Sequence, residues 1–285
     1  MATPFNRILL ATEGTEFDVG AERVGIDLAQ ASGVPLLAVL PLVSNVEYQI
    51  RAPQRQEEAE AEAAAKLRTL QEAAAARGVE LRGNVRLGEQ PFREIVDEAK
   101  ERNADLIVLR RRGKRSYIAN LFMGEMVHTV IGHAHCDVLI VPRAAAHWSR
   151  GIVLATDGSP HSERATALAA QLAAQYRLPL TVISVAEHKD PEAERAATAN
   201  VDRALAAARA AGAEAVGRIV SGEKPFQAIL AAEKESDADL IVIGRRGLNA
   251  LQRLMMGSTS ERVAGSANGA VLIVQEAVTE QGTAD

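Results

Sequence analysis

The chain lacks the features that mark several large classes of protein. Its single cysteine, Cys136, excludes an intrachain disulfide framework, so the fold does not depend on an oxidising compartment. No run approaches the roughly 18 consecutive apolar residues that a membrane-spanning helix needs. The N-terminal residues also lack the charged and apolar regions of a secretory signal peptide. We therefore expect a cytoplasmic protein with no membrane partner.

Basic residues are not in excess, and aromatic residues make up only 3% of the chain. Divided after residue 145, the first part has 18 basic and 20 acidic residues, a net charge of −2, and the second has 14 and 17, a net charge of −3. A dedicated nucleic-acid-binding domain usually carries a basic excess. We therefore expect no nucleic-acid partner, and the basic run Arg110–Arg115 is most simply a solvated loop.

What the chain does contain is an internal repeat, which decides the architecture. Arg7–Gly14 (RILLATEG) matches Gly151–Gly158 (GIVLATDG). Four further matches follow in the same order: Pro35–Leu36 with Pro179–Leu180, Gly88–Phe92 with Gly222–Phe226, Ala104–Val108 with Ala238–Val242, and Val138–Val141 with Val271–Val274. The repeat predicts two similar domains, 1–144 and 149–278, joined by an Ala-rich stretch that contains Trp148.

Within each copy, short apolar runs alternate with amphipathic stretches. The apolar runs of the second copy predict five strands, at Gly151–Thr156, Leu180–Val185, Glu214–Val220, Asp239–Ile243 and Ala270–Val274. Their Val, Ile and Leu residues are typical of parallel strands covered by helices on both faces. The stretches between them carry apolar residues at helical spacing. Each copy is thus predicted to be an α/β domain with a doubly wound, five-stranded parallel sheet.

A glycine-rich pattern follows the predicted fourth strand of the second copy. It reads Gly244-Arg-Arg-Gly247, nine residues, and then Gly257-Ser258-Thr259-Ser260. Glycines permit positive φ and close approach of a ligand to the backbone, and a helix predicted near Ser260–Ala267 would offer unpaired N–H groups and a favourable dipole to an anion. The pattern therefore predicts a phosphate-binding loop, although it is neither a GxxxxGK[ST] loop nor a GxGxxG fingerprint.

The position of this loop also predicts the order of the strands. Asp157 follows the first strand of the second copy, and Gly244 follows the fourth. Ligands of open α/β sheets bind beyond the carboxyl ends of the strands, where the strand order reverses. If both residues serve one ligand, strands one and four are neighbours, and the sheet order is 3-2-1-4-5.

With these motifs, the chain resembles a tandem universal stress protein over nearly its whole length. The resemblance implies that the second copy binds ATP, with or without Mg²⁺, or else ADP or AMP. It implies that the glycines and the Ser and Thr hydroxyls of the motif hold the phosphates. Asp157 would lie near the base and the ribose, the backbone of Val185 would contact adenine, and Ala155 would lie at the rim of the base pocket. Carried over, the candidate site residues are Ala155, Thr156, Asp157, Val185, Ile243, Gly244, Arg246, Gly247, Gly257, Ser258, Thr259 and Ser260.

The first copy departs from the pattern at several independent points. Arg110 replaces the first glycine, the spacing from Gly113 to Gly124 is one residue too long, and Glu125 stands in place of Ser258. A carboxylate suits a helix N-terminus but repels phosphate. Pro41 and Glu13 also replace Val185 and Asp157. We therefore expect no ATP in the first copy and hypothesise that its own Arg and Glu side chains fill its crevice.

Several interpretations of the activity remain open at this point. No residue is an obvious activator of water, although Arg245, Arg246 or Arg253 could neutralise charge, so we expect a nucleotide-dependent binder or sensor with little or no hydrolysis. The alternatives are a slow ATPase or autophosphorylating switch, and a scaffold that acts without nucleotide.

Two further patterns carry no predicted function, and one prediction concerns assembly. His133, His135 and Cys136 lack a second ligand pair at metal-binding spacing, so no metal site is expected. The Glu- and Ala-rich stretch Gln56–Ala76 is read as a solvated surface helix. The family resemblance further implies an internal pseudo-dimer through Val138–Val141 and Val271–Val274, and we expect two chains to form a homodimer.

Overall fold

The computed structural model describes residues 4–44, 53–111, 124–186, 190–222, 224–247 and 256–276. The first half contains β1 (Ile8–Ala11), α1 (Val19–Ser32), β2 (Leu36–Val43), α2 (Pro53–Ala75), β3 (Leu81–Gly88), α3 (Pro91–Glu101), β4 (Leu106–Arg110), α4 (Glu125–His133) and β5 (Asp137–Val141). The second half contains β6 (Ile152–Ala155), α5 (Pro160–Tyr176), β7 (Leu180–Ala186), α6 (Pro191–Ala211), β8 (Ala215–Ser221), α7 (Pro225–Glu235), β9 (Leu240–Gly244), α8 (Ser258–Ser266) and β10 (Ala270–Val274).

The strands form one sheet in the order β3-β2-β1-β4-β5-β10-β9-β6-β7-β8. Each half therefore has the order 3-2-1-4-5 with parallel pairing, which confirms the predicted fold class. The two halves meet where β5 pairs with β10 in the antiparallel direction, with Leu139 opposite Leu272. The sheet is thus continuous across the molecule.

The central strands are buried on both faces because helices cover them, as the apolar runs predict. All residues of β4, β5, β9 and β10 are buried. The outer strands differ, and here the expectation of full coverage is wrong. In the edge strand β8, Val216 and Ile219 are 60% and 43% exposed, so the helices cover the faces of this strand incompletely.

Helix α2 is a surface helix, as expected, but one of its sides is buried. This side packs against β3, where Gly83 gives the Leu67 side chain room: a Cβ on Gly83 would lie 2.1 Å from Leu67 Cδ1. The high content of Glu and Ala hid this face, because its apolar members are widely spaced. The buried residues of α2 are Gln56, Ala63, Leu67, Leu70 and Ala74.

Helix starts follow local sequence signals and bring the site residues to one edge of the sheet. Five helices begin at a proline, whose fixed φ and missing N–H suit the first helical position. Helix α5 is additionally capped by Ser159, whose side chain accepts a hydrogen bond from the Ser162 amide. In a parallel sheet these helix starts lie beyond the carboxyl ends of the preceding strands. None of the described helices is long and apolar enough to cross a bilayer.

The segment between the halves is packed rather than extended into solvent. Trp148 is 2% exposed and contacts His147 and Tyr176, with ring centroids 4.6 Å and 5.9 Å away. Next to it, the Ser149 amide donates to Asp239 Oδ2 at 2.9 Å. The segment is therefore anchored to the second half immediately before β6 begins.

Candidate functional site

The crevice of the second half lies where β6 and β9 end side by side. Ala155 and Ile243, the candidate residues on these strands, are paired in the parallel register. Asp157 follows β6 and accepts a hydrogen bond from the Ser159 amide at 3.1 Å. A Cβ placed on Gly247 would lie only 2.3 Å from Asp157 Oδ2. The carboxylate of Asp157 thus lies against the glycine-rich loop, as the argument from strand order requires.

The glycines of the loop have a different physical role from the one expected. Among the described glycines, those with positive φ include Gly14 and Gly158, but none of the motif positions 244, 247 or 257. At Gly244 the constraint is steric, because a Cβ would lie 2.9 Å from His161 Cβ. Gly244 and Gly247 are therefore required for close packing against α5 and Asp157, and not for left-handed backbone.

The N-terminus of α8 faces the same loop. Its cap residue is Gly257, which offers no side-chain cap, and the Gly257 amide donates to Arg245 O at 3.0 Å. Because the first N–H groups of a helix have no intrahelical acceptor, this end of α8 can attract an anion. Ser258 is exposed and Thr259 is half-buried at this end. Both hydroxyl-bearing residues are therefore placed at the mouth of the crevice.

Three further residues predicted for the site, Thr156, Val185 and Ser260, do not lie at the mouth of the crevice with Ser258 and Thr259. The Ser260 hydroxyl is buried and donates to Gly244 O at 2.8 Å, so it fixes the loop to α8. The Thr156 hydroxyl is buried too and donates to Ser162 Oγ at 3.2 Å, toward the start of α5. Val185 is half-buried near the end of β7. The two hydroxyls stabilise the walls of the crevice, whereas Val185 is the candidate that belongs to its base end.

The two arginines within the loop also differ from each other. Arg246 is half-buried, and its carbonyl accepts from the Ser159 hydroxyl at 3.4 Å, which ties the loop to the cap of α5. Arg245 is buried, and its guanidinium donates to Gln275 Oε1 at 2.8 Å. The prediction that Arg245 could neutralise phosphate charge is therefore wrong for this geometry, because its side chain points away from the crevice. Arg253 lies outside the described residues.

The equivalent crevice of the first half is occupied by an arginine network. Arg110 takes the place of Gly244 and is 6% exposed. Its guanidinium pairs with Glu13 Oε2 at 2.8 Å and with Asp18 Oδ2 at 3.1 Å, and it donates to Thr15 Oγ1 at 2.8 Å. The hypothesis that the copy's own Arg and Glu side chains fill its crevice therefore agrees with the structure at the end of β4, whereas part of the crevice stays open. Residues 112–115 of the basic run lie outside the described residues.

A model of the universal stress protein family matches this chain twice, over residues 4–142 and 149–275. The chain belongs to the universal stress protein family. A universal stress protein of Mycobacterium tuberculosis is 28% identical over 199 residues, which cover 65% of this chain and 65% of the relative. The matched region thus spans about two thirds of that relative's length.

Two further comparisons describe the family relation. A universal stress protein of Thermus aquaticus is 35% identical over 133 residues, 44% of this chain and 97% of the relative. The crystal structure of a universal stress protein from Archaeoglobus fulgidus has a TM-score of 0.76 at 24% identity, and the match covers 95% of this chain and 96% of that chain. The structural match to the Archaeoglobus fulgidus protein supports the fold over nearly the whole length of this chain.

The two universal stress protein domains are joined by a reciprocal pair of arginines, which the sequence interpretation missed. Arg245 of the second domain reaches the C-terminal carbonyls of α4, at 3.4 Å from both Ile131 O and Gly132 O. Arg111, the matching residue of the first domain, donates to Ala267 O at the end of α8. Burial lowers the pKa of both guanidinium groups. The signal was present in the repeat, because an arginine also occupies this position in the copy without a phosphate loop.

A buried ion pair adds a second connection between the domains. Arg164 of α5 binds both carboxylate oxygens of Asp137, which begins β5, with one N···O distance of 2.9 Å. Asp137 also accepts from the Gln275 amide at 2.9 Å. Burial raises the pKa of Asp137, and the hydrogen bond from Arg164 opposes that rise. The repeat positions of this pair carry Gly20 and Ala270, so sequence symmetry could not reveal it.

The cluster of His133, His135 and Cys136 has no metal-binding geometry in the part of the chain that is described. Cys136 is buried, and burial raises the pKa of its thiol to about 12. A thiol with such a pKa is a poor nucleophile at neutral pH. Burial also lowers the pKa of His135. These residues pack at the start of β5 and contribute no chemistry to the site.

Proposed function

We propose that the second domain binds ATP in the crevice between β6 and β9 and that this protein is a nucleotide-dependent binder or sensor in the bacterial stress response. The observation that carries the proposal is the convergence of Asp157, the Gly244–Gly247 loop and the uncapped start of α8 at one point. Family membership supports it, because the second match of the family model, residues 149–275, contains the whole motif.

The phosphates are assigned to the end of the crevice formed by the loop and α8. Backbone N–H groups at a helix start and its dipole attract anions, and Gly257 leaves this end open. The Ser258 and Thr259 hydroxyls add donors, and Arg246 lies in the adjacent loop. Gly244, Gly247 and Ser260 act by keeping the loop close to α5 and α8. This division of roles refines the set of residues predicted from the sequence.

The base and ribose are assigned to the opposite end, by the family resemblance. Asp157 is placed to contact the ribose or to help hold Mg²⁺, Ala155 and Ile243 line the strand ends, and the backbone at Val185 lies at the adenine position. Because the assigned contacts include no group selective for the γ-phosphate, ADP or AMP would use the same base and ribose contacts. The nucleotide that co-purifies with the chain identifies the physiological ligand.

The crevice favours binding over hydrolysis. Transfer of a phosphoryl group needs a metal, a group that positions the nucleophile and neutralisation of charge, and Arg245 is turned into the domain interface instead. A slow ATPase or autophosphorylating switch is the second candidate. Incubation with ATP labelled in its γ-phosphate separates the two, since only a switch transfers the label to protein or to water.

A negative charge introduced at Ser258, the first residue of α8, tests the proposed phosphate site. Ser258→Glu introduces the residue that the first domain carries at Glu125, and the carboxylate should weaken ATP binding by at least about tenfold, through repulsion of two like charges at short range. Ser258→Ala is the matched control and should lose only a hydrogen bond, roughly threefold to tenfold. Isothermal titration calorimetry with ATP measures both, and equal affinities in Ser258→Glu and the wild type would refute the assignment.

We further propose that the antiparallel β5–β10 pairing makes the two domains an internal pseudo-dimer, and that two chains associate as a homodimer in the cytoplasm. The continuous sheet, the reciprocal arginines and the Asp137–Arg164 pair support a permanent union of the domains. In such a union the first domain holds the C-terminal end of α8 through Arg111, and the second domain supplies the nucleotide site. Nucleic acid and membrane partners have no part in this proposal.

A further inference from the structure

The first domain retains a large cleft although its phosphate end is closed. The cleft has a volume of about 770 Å³ and lies beyond the carboxyl end of β2, between α2 and α3. Ligand pockets commonly measure about 300–1,000 Å³, so the cleft can hold a molecule of moderate size. Arg110 and its partners Glu13 and Asp18 shut the side where phosphates would lie.

The walls of this cleft are apolar. Leu40 and Pro41 are buried, whereas Leu42 and Phe92 are half-buried and Val43 is 66% exposed. An exposed valine beside a cleft leaves apolar surface that a ligand can cover. The apolar residues that line the cleft are Leu40, Pro41, Leu42, Val43, Ala59, Ala63, Pro91, Phe92 and Met126.

The charged residues of the cleft are predominantly acidic. Two of its four glutamates are paired, Glu62 with Lys66 at 2.8 Å and Glu13 with Arg110 at 2.8 Å. Glu89 and Glu125 are exposed and add two carboxylates at the rim. The charges that line the cleft therefore favour a cation and oppose a phosphate or carboxylate ligand.

The repeat shows how far this charge departs from that of the second domain. Glu125, Gln90 and Thr129 line the cleft, and their repeat positions in the second domain carry Ser258, Lys224 and Arg262. Each of the three differences makes the first cleft more negative by one charge, so together they shift it by −3. Matching positions of the two domains thus carry different charge.

We propose that the first domain binds an organic cation with an apolar ring or chain in this cleft. The apolar body lies on Leu42, Val43 and Phe92, and the cationic group lies at Glu89 and Glu125. The closed phosphate end excludes nucleotides, so this ligand differs in chemical class from the one assigned to the second domain. The first domain then has a binding function of its own in addition to its support of α8.

Three indole compounds of matched shape test the charge preference. Tryptamine is a cation at neutral pH, tryptophol is neutral and indole-3-acetate is an anion. Titration calorimetry of the full chain should show tryptamine binding roughly threefold to tenfold more tightly than tryptophol, as expected for one or two exposed charge pairs, and indole-3-acetate binding more weakly than either. Equal affinity for the cation and the neutral compound, or no binding of tryptamine, overturns the proposal.

Variants locate the cation at the cleft. Glu89→Gln combined with Glu125→Gln should abolish the preference for tryptamine over tryptophol. Glu57→Gln combined with Glu72→Gln changes the charge equally at two exposed positions of α2 outside the cleft and should leave the preference intact. The combination Gln90→Lys, Glu125→Ser and Thr129→Arg installs the residues of the second domain and should reverse the preference toward indole-3-acetate. An unchanged order in this last variant contradicts the proposal, provided that its melting temperature matches the wild type.

One further measurement separates this proposal from the nucleotide assignment. Excess ATP should leave the affinity for tryptamine within about twofold, because the two ligands occupy different domains and a coupling of about 0.4 kcal/mol corresponds to twofold. Competition between ATP and tryptamine would place the cation in the second domain and refute the cleft. Failure of ATP to bind at all would refute the nucleotide assignment alone.

Discussion

The residue at the end of the fourth strand decides what each crevice can hold. In the second domain it is Gly244, and α5 approaches so closely that a methyl group would collide with His161. In the first domain it is Arg110, whose guanidinium occupies the crevice at the end of β4 and is neutralised by Glu13 and Asp18. The replacement of glycine by arginine was readable from the repeat. The role of Asp18, 92 positions away in sequence, depended on the fold.

Close packing at Gly244 predicts a stability difference between two loop glycines. In Gly244→Ala the new Cβ would lie 2.9 Å from His161 Cβ, so we expect a loss of about 1–3 kcal/mol in the free energy of unfolding, typical of overpacking. In Gly257→Ala the nearest atom would be 3.4 Å away and φ is −66°, so the loss should stay within about 0.5 kcal/mol. Urea denaturation measures both variants. Equal losses would contradict the steric role assigned to Gly244.

The buried arginine of the first domain predicts a larger effect. Arg110→Ala leaves the carboxylate of Asp18, 1% exposed, without its cation, and should cost about 3–5 kcal/mol of stability. Arg143→Ala removes an exposed partner of Glu16 and should cost less than about 1 kcal/mol. The comparison requires unfolding curves in urea at one pH. Should both variants unfold at the same urea concentration, the Arg110 network would not stabilise the first domain.

At the scale of whole elements, the apolar runs predicted the strands, and the positions of Asp157 and Gly244 after strands one and four predicted their order. The predicted and observed limits of β6 to β10 differ by at most two residues, since buried parallel strands have a strong Val, Ile and Leu signature. Exposure of the edge strand β8 and the buried face of α2 were not predictable in the same way. Both depend on which neighbours an element has in space, and a pattern within one segment does not record them.

The C-terminal end of α8 illustrates how one domain holds an element of the other. The N-terminus of α8 is held through the loop at Arg245 and its C-terminal carbonyl at Ala267 by Arg111. Arg111→Met should leave that carbonyl without its donor and speed amide hydrogen exchange in the last turn of α8 several-fold, because local opening becomes easier. Hydrogen–deuterium exchange with mass spectrometry measures the protection of the amides in this turn. The control variant is Arg93→Met, which changes an exposed arginine on α3. Unchanged protection would show that Arg111 does not support α8.

At the scale of the whole molecule, the two domains have diverged while keeping one sheet. Their interface is asymmetric, because the Asp137–Arg164 pair has no counterpart at Ala270 and Gly20. Gly20, which stands at the position of Arg164, packs within its own domain instead, since a Cβ on it would lie 2.2 Å from Pro142 O. The sequence repeat predicted two similar domains with the same strand order. It could not predict an interface in which equivalent positions carry different chemistry.

The packed segment between the domains predicts a dependence of stability on pH. Burial lowers the pKa of His147 from its ordinary value of 6.5, and its ring stacks on Trp148 at 4.6 Å. Below pH 6.5 the unfolded chain takes up a proton that the folded chain resists, so this stability is present above pH 6.5 and is lost as the pH falls below it. The pKa values of His135 and His161 are lowered for the same reason and act in the same direction.

His147→Gln isolates the contribution of this segment. Urea unfolding at about pH 7.5 and about pH 5.5 should show that the wild type loses more stability between the two values than the variant does, by less than about 1 kcal/mol because His147 is only half-buried. His133→Gln changes an exposed histidine and should retain the full pH dependence of the wild type. If His147→Gln has the same dependence as the wild type, the desolvated ring is not coupled to the junction between the domains, and the acid sensitivity belongs to the histidines within them.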